Sequence, residues 1–391
     1  FMQYDVILIG SGFGSLTAAA LLAHKGLKVA VLEQAKYPGG CASSYKRKGY
    51  WFETGATTLV GLDEHMPLRY LLDVTGIKLP LLKLDTPMQV HLPDGQLLTR
   101  YADLNDWIKE AERVFGPTGQ RPFWEHCYQI SQKVWRTSME QRTFPFSNIK
   151  DLWQAMRNVR LHQLSLLPGA FSTMEDLLNR YGLLDHKLFR DFVNEQLLIT
   201  AQNHLDEVNE LFGATALCYT LFGNYYVKGG MIGLARALER YLHSKGSTIL
   251  YRRNVHSITS MTNGYEVSCL AGTYQSRFVI SGIPLNNTYR LFQDDRVRQK
   301  IHLYLLPSAK LNGAFTMALV LRQAPAIPVL HHQVHVPGGL PLIGSSSFFV
   351  SYSHPADSER AQQGERVVAI STHVPDPAAL HIQDKSQLEE A

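Results

Sequence analysis

The sequence predicts an α/β fold in which a nucleotide-binding domain is interrupted by an α+β domain with a helical cap. Three observations predict it. An apolar, β-branched run, Asp5 to Ile9, breaks at Gly10 into a glycine-rich loop and then into helical periodicity. A second apolar run, Lys28 to Glu33, follows at the spacing of a βαβ unit. Strand signals then thin out over a long helix-patterned stretch, from Asp103 to about Tyr226, and return after it.

Each element follows from its residues. Asp5 to Ile9 is continuously apolar after its first residue, which suits a strand buried on both faces. Ser15 to Lys25, small and leucine-rich, is expected to be a helix ended by Gly26. With the Lys28 to Glu33 strand it completes a Rossmann-like unit. Met88 to Leu92 and Gln96 to Tyr101 flank a Pro-Asp-Gly turn and predict a hairpin. The cap is expected to break at Gly116-Pro117, Pro145, Pro168-Gly169 and Gly182. After Lys228-Gly229-Gly230 the pattern predicts a helix (Met231 to Leu242), a strand (Thr248 to Tyr251) and a hairpin with a return strand (Tyr265 to Leu270, Tyr274 to Ile280). Further strands near 314–321, 330–336, 348–352 and 366–372 are expected to form the sheet of the second domain. The expected division is 1–86 and 224–285 for the nucleotide domain, 87–223 and 286–391 for the substrate domain.

Composition narrows the function. A net charge of +4 gives no reason to expect a nucleic-acid partner. Cys41, Cys127, Cys218 and Cys269 lie far apart with no CxxC, which argues against zinc and against a disulfide framework, and for a reducing compartment. His331, His332 and His335 are expected to bind no metal, because the first two point to opposite faces of a strand and no carboxylate is near. No apolar run approaches the roughly 18 residues of a membrane span, and no basic leader opens the chain, so the expected location is the cytoplasm.

The loop Gly10, Ser11, Gly12, Phe13, Gly14, Ser15 is the candidate diphosphate site. Gly10 permits the tight turn, Gly12 lets backbone approach a pyrophosphate, and the helix start offers free amides. Ser15 stands where a third glycine is usual. Glu33, followed by Gln34, ends the second strand, where its carboxylate can accept from ribose hydroxyls and would repel a 2′-phosphate. A second close-approach turn, Pro38-Gly39-Gly40 with Cys41 and Ala42, favours FAD over NAD, since NAD dehydrogenases have no regular need for it.

The blocks VILIGSGFG, VAVLEQ, YPGGCASSY and GYWFETGA, between Val6 and Ala56, resemble the flavoprotein superfamily of phytoene desaturases, carotenoid isomerases and retinol saturases. Cys41 stands where most of these proteins carry Arg, a pattern similar to the isomerase and saturase branches, and it removes a basic phosphate clamp. YYVKGGMIGLARALERYL from Tyr225, ILYRRNVHSI, FVISGIPLNNTYRLF from Phe278 and STHV at 371–374 are also similar to the family. The resemblance implies FAD contacts at Gly55, Ala56, Thr57, Ser281 and Gly282, and an adenine contact through the backbone of Val255. In the cap it is loose and implies no residue role. The family closes with a Gly-Asp motif on the flavin side; no Gly-Asp pair occurs in these 391 residues, and the expectation is that a closing segment follows.

The resemblance further implies hydride transfer between flavin N5 and a hydrophobic polyene (a carotenoid, retinoid or related polyprenoid) that desaturates, isomerises or saturates a double bond. Two other readings stay open: a flavin amine or porphyrinogen oxidase, and a non-enzymatic lipid-binding relative. No catalytic residue is assigned; His373 and Glu53 are weighed and read as structural. Trp107, Trp124, Trp135, Trp153 and Tyr225-Tyr226 are expected to be core more often than tunnel wall. Residues 132–162 carry six Lys/Arg against two acids, interleaved with aromatics, which fits a peripheral membrane surface and a solvated helix face equally well.

Overall fold

The computed structural model describes residues 3–140, 153, 157, 160–307, 310–341 and 343–374. The first sheet has the order β10-β11-β12-β1-β2-β9. Its strands are β1 (Gln3–Ile9), β2 (Val29–Leu32), β9 (Thr248–Leu250), β10 (Val255–Met261), β11 (Gly264–Cys269) and β12 (Gly272–Ser281). β12, β1, β2 and β9 run parallel, and β10 and β11 add an antiparallel flank. Alternation in β1 sorts its side chains. Val6 and Leu8 pack with Leu16, Ala19, Ala20 and Ala23 of helix α1 (Phe13–His24) and with Leu234 and Leu238 of the Ile232–Ser244 helix. Ile7 and Ile9 face the opposite way, onto Val255, Ile258 and Val267. The alanines of α1 let two helices lie close to the sheet and to each other.

The second sheet has the order β13-β16-β15-β14-β6-β7. It joins an early hairpin, β6 (Met88–His91) and β7 (Leu97–Arg100), to β13 (Gly313–Leu321), β14 (His331–Leu340), β15 (Ser345–Tyr352) and β16 (Arg366–Val374). Over it lie α3 (Leu104–Phe115), α4 (Gln120–Glu140) and the helices Met174–Arg180, Lys187–Thr200 and Glu210–Leu217, whereas α2 (Pro67–Thr75) packs its Leu71 against α1 in the core of the first sheet. Asp103 starts α3 by accepting from the amides of Asn105 and Asp106. The cap core is aromatic: Trp107 and Trp124 are fully buried and meet edge to face at 4.9 Å.

Two short ribbons depart from expectation. β3 (Ser44–Arg47) and β4 (Tyr50–Glu53) form a hairpin, and β5 (Leu81–Lys83) pairs with β8 (Tyr225–Val227). The stretch expected to be helical as far as Tyr226 therefore ends in a strand. Three residues are too few to display a period of two. Of segment 132–162, residues 132–140 belong to α4, while 141–152, 154–156, 158 and 159 lie outside the described residues.

Candidate functional site

The first glycine loop and the second one touch through their backbones. Gly10 N donates to Leu32 O at 2.8 Å, and Gly39 N donates to Ser11 O at 2.8 Å. Gly40 has φ +60°, and a Cβ on it would sit 3.1 Å from Gly12 Cα. A side chain there would be strained by the backbone angle and by that approach. The outer side of Gly12 is different: a Cβ would meet nothing within 4 Å there, nor at Gly14. No side chain caps α1, so its first amides remain available to an anion. An open cradle of backbone with free amides is what a diphosphate requires, and the residues present fit that group.

The cradle continues in a row. A Cβ on Gly55 would lie 2.7 Å from Cys41 O, and Thr54 Oγ1 donates to the carbonyls of Cys41 and Ser43, each at 2.9 Å. Gly40, Cys41, Gly55 and Ala56 are exposed along this row, with Ala42 half-buried beside it. Two residues beyond Gly55, Thr57 Oγ1 lies 3.3 Å from His331 Nδ1 and 3.2 Å from Ser351 Oγ, both on the second sheet. At the other end, Arg253 N donates to Glu33 O at 2.8 Å, which sets Val255 beside Glu33 at the C-terminal edge of the first sheet. Gln34 next to it is exposed. On the flank, Gly282 N donates to Ile9 O at 2.9 Å, and Ser281 Oγ lies 2.6 Å from Thr288 Oγ1. Gly282 leaves room for Ser15, whose buried Oγ has no hydrogen-bond partner among the described residues.

Glu33 is engaged more fully than the sequence suggests. Its Oε2 accepts from Ser11 N at 2.8 Å and Ser11 Oγ at 2.6 Å, and its Oε1 accepts from Ala35 N at 2.7 Å. A carboxylate offers about four lone-pair sites, so one remains for a sugar hydroxyl. The same contacts pin the first loop to the end of β2.

Glu53 is a buried anchor of the Gly229-Gly230 turn. It accepts from Ser44 Oγ at 2.6 Å and Met231 N at 3.1 Å, and it pairs with Arg360 at 3.3 Å. Burial pushes its carboxyl up, against the pull of Arg360. Arg360 also donates to Tyr226 Oη at 3.3 Å, and that hydroxyl donates to Asp357 at 2.6 Å. Nothing in the polar stretch around Asp357 and Arg360 signals in sequence that either is buried. His373 packs half-buried against Phe349, with ring centroids 6.0 Å apart, and burial lowers its pKa. His331 and His332 do face opposite ways. His332 meets His91 at 3.2 Å, while His331 is buried at the end of the glycine row, a placement the sequence did not reveal.

The profile of the flavin containing amine oxidoreductase family matches residues 16–391. Prolycopene isomerase of Daucus carota is 26% identical over 403 residues, covering 95% of this chain and 61% of its own. All-trans-retinol 13,14-reductase of Homo sapiens is 39% identical over 325 residues, covering 73% and 48%. The chain spans about half the length of the curated relatives it matches. An oxidoreductase from Methanosarcina mazei shares the fold with a TM-score of 0.64 at 17% identity, covering 100% of this chain and 82% of that one. A fatty acid isomerase from P. acnes does so with 0.59 at 17%, covering 99% and 80%. The resemblance to carotenoid isomerases and retinol saturases, and FAD as cofactor, are borne out. The chain belongs to the flavin containing amine oxidoreductase family.

Proposed function

We propose that this chain acts as an FAD-dependent oxidoreductase on a carotenoid, retinoid or related polyprenoid. The observation that carries the cofactor reading is the contact of two glycine turns beside an open Gly12. The substrate reading is supported by the polyene-acting relatives named above. In this reading the amides of residues 12–15 hold the diphosphate, assisted by Gly39 and Gly40. Cys41 leaves its charge to be met by backbone dipoles instead of a guanidinium. Glu33 and Val255 hold the adenosine end, Gln34 borders it, and Gly55, Ala56 and Thr57 run beneath the flavin end. Ser281 and Gly282 close the flank near Ser15. Bound FAD would supply hydride transfer at N5. The domain division proposed is the one expected from sequence, with the cofactor groove along the first sheet and the substrate facing the second.

Among the described residues no helix is long and apolar enough to cross a membrane. Peripheral membrane contact is proposed for segment 132–162. Its support is a run of exposed apolar side chains immediately beyond it, Leu164, Leu167 and Phe171, the last 89% exposed, with Lys133 and Arg136 on the facing stretch of α4.

Purified full-length protein is expected to be yellow and to convert all-trans-retinol or prolycopene when supplied with reduced or oxidised FAD. A colourless protein that takes up no FAD overturns the cofactor reading. Peroxide formed from amines, with no polyene turned over, overturns the substrate reading.

A further inference from the structure

His331, at the start of β14, has one nitrogen held and one left over. Its Nδ1 lies 3.0 Å from Ser351 Oγ and 3.3 Å from Thr57 Oγ1, and the two hydroxyls are 3.2 Å apart. Its Nε2 is closed off from solvent and has no hydrogen-bond partner among the described residues. Burial, with Arg360 nearby, pushes its pKa down to about 3, so the ring is neutral. The triangle of polar atoms then selects a tautomer. If Nδ1 accepts, the two hydroxyl protons are both used inside the triangle. If Nδ1 carries the proton, one hydroxyl proton has no acceptor there. Placing the imidazole proton on Nε2 is the assignment that uses both hydroxyl protons within the triangle. A buried N–H without an acceptor is unfavourable, and that is the state expected of a donor whose acceptor arrives with a ligand.

Position says which ligand. The chain of contacts runs from Glu33 and Val255 to Gly12 against Gly40, to Cys41 against Gly55, and then to Thr57 against His331. A dinucleotide whose sugar meets Glu33 and whose diphosphate meets Gly12 continues along this row toward Thr57. Its ring system arrives where the unused donor stands.

We propose that His331, positioned by Thr57 and Ser351, donates a hydrogen bond from Nε2 to an acceptor atom of the isoalloxazine ring of bound FAD. This inference rests on the cofactor site proposed above and adds a residue to it. A fixed donor favours the electron-rich reduced ring over the oxidised one, so His331 raises the flavin's reduction potential.

The test is a reductive titration of the FAD-loaded, full-length protein against a reference dye. In His331→Phe the ratio of affinities for reduced and oxidised FAD is expected to fall about tenfold, which is about 30 mV for a two-electron couple. His331→Gln keeps an N–H donor and is expected to recover most of that shift, which a merely space-filling role would not produce. A second measurement needs no variant: with 15N-histidine labelling, adding FAD to the wild-type protein is expected to move one neutral Nε2–H resonance. FAD that binds His331→Phe with an unchanged potential, or binds wild type without moving any histidine resonance, overturns this inference and leaves the cofactor site standing. Failure of the wild-type protein to bind FAD overturns both.

Discussion

At the scale of the single residue, two glycines a few ångströms apart are expected to respond in opposite ways. Gly12 has an extended backbone, φ −61° and ψ 160°, and a Cβ on it meets no protein atom within 4 Å. Gly12→Ala should therefore fold normally, with a melting temperature within about 2 °C of wild type, since its one added carbon meets no packed atom. Its side chain fills the space needed by the diphosphate, so FAD affinity should fall about 100-fold, equivalent to about 2.7 kcal/mol. Gly40 combines φ +60° with a 3.1 Å approach to Gly12 Cα. Gly40→Ala should lose about 1–3 kcal/mol of stability even without cofactor, measured by urea unfolding of the apoprotein. If Gly12→Ala unfolds, or if Gly40→Ala is as stable as wild type, the geometry of the two loops is misassigned. The sequence placed both residues in the cofactor loops but gave no sign of which is packed and which is open. That difference depends on a contact between segments that only folding brings together. Glu33 shows the same limit, since its position at the strand end was legible and its capture by Ser11 was not.

At the scale of the element, most long strands and helices were legible because burial imposes a repeat that enough residues can display, although β10, with only Val255 and Ile258 buried, was not among the expected strands. β1, α1, the β6–β7 hairpin and the four late strands fall where periodicity puts them. The ribbons β3–β4 and β5–β8 were not legible, being three or four residues long and stabilised by what they pack against. The polar seam between cap and second sheet was equally hidden. Arg100, at the end of β7, is fully buried, with its guanidinium 4.2 Å from the centre of the Trp107 ring and within 5.6 Å of Phe192. It donates to Gln196 Oε1 at 2.9 Å, to Thr220 Oγ1 at 2.8 Å and to Leu217 O at the end of a helix. Burial lowers its pKa to about 10, which leaves it charged at neutral pH. Its acceptors are all neutral, and the aromatic faces supply the rest of the cation's stabilisation. Arg100→Met would keep the apolar bulk and leave those acceptors unpaired in the core. It should destabilise the protein by about 3 kcal/mol or more, at about 1–3 kcal/mol per unsatisfied group, read as a lower urea midpoint with an unchanged m-value. A loss below about 1 kcal/mol would show that the cap is held to the sheet by its aromatic packing alone.

At the scale of the whole molecule, neither sheet is made from one stretch of chain. The first joins residues 3–32 to 248–281, and the second joins 88–100 to 313–374. The two halves of each must find each other across the intervening cap, so unfolding should be coupled across the molecule. β14 lies at that junction, and it carries His331 and His335 on its buried face. Burial holds both imidazoles neutral, with pKa values pushed down to about 3 and about 4. An unfolded chain binds protons at histidine below pH of about 6.5. Between that pH and the lowered folded values the unfolded state therefore binds more protons, and stability must fall as pH falls. The contribution is complete above pH of about 6.5 and is lost progressively toward pH of about 4 for His335 and about 3 for His331. Each group adds a slope of about 1.4 kcal/mol per pH unit inside its window. Replacing His335 with Leu removes one of the two, so the difference in unfolding free energy between wild type and His335→Leu should change by about 1.4 kcal/mol per unit between pH 6 and 5, in the direction that favours the variant as pH drops. Taking the difference cancels the carboxylates that titrate over the same range. Parallel curves for the two proteins across this interval would mean that His335 is protonated as readily in the folded chain as in the unfolded one, and that the buried face of β14 admits a charge.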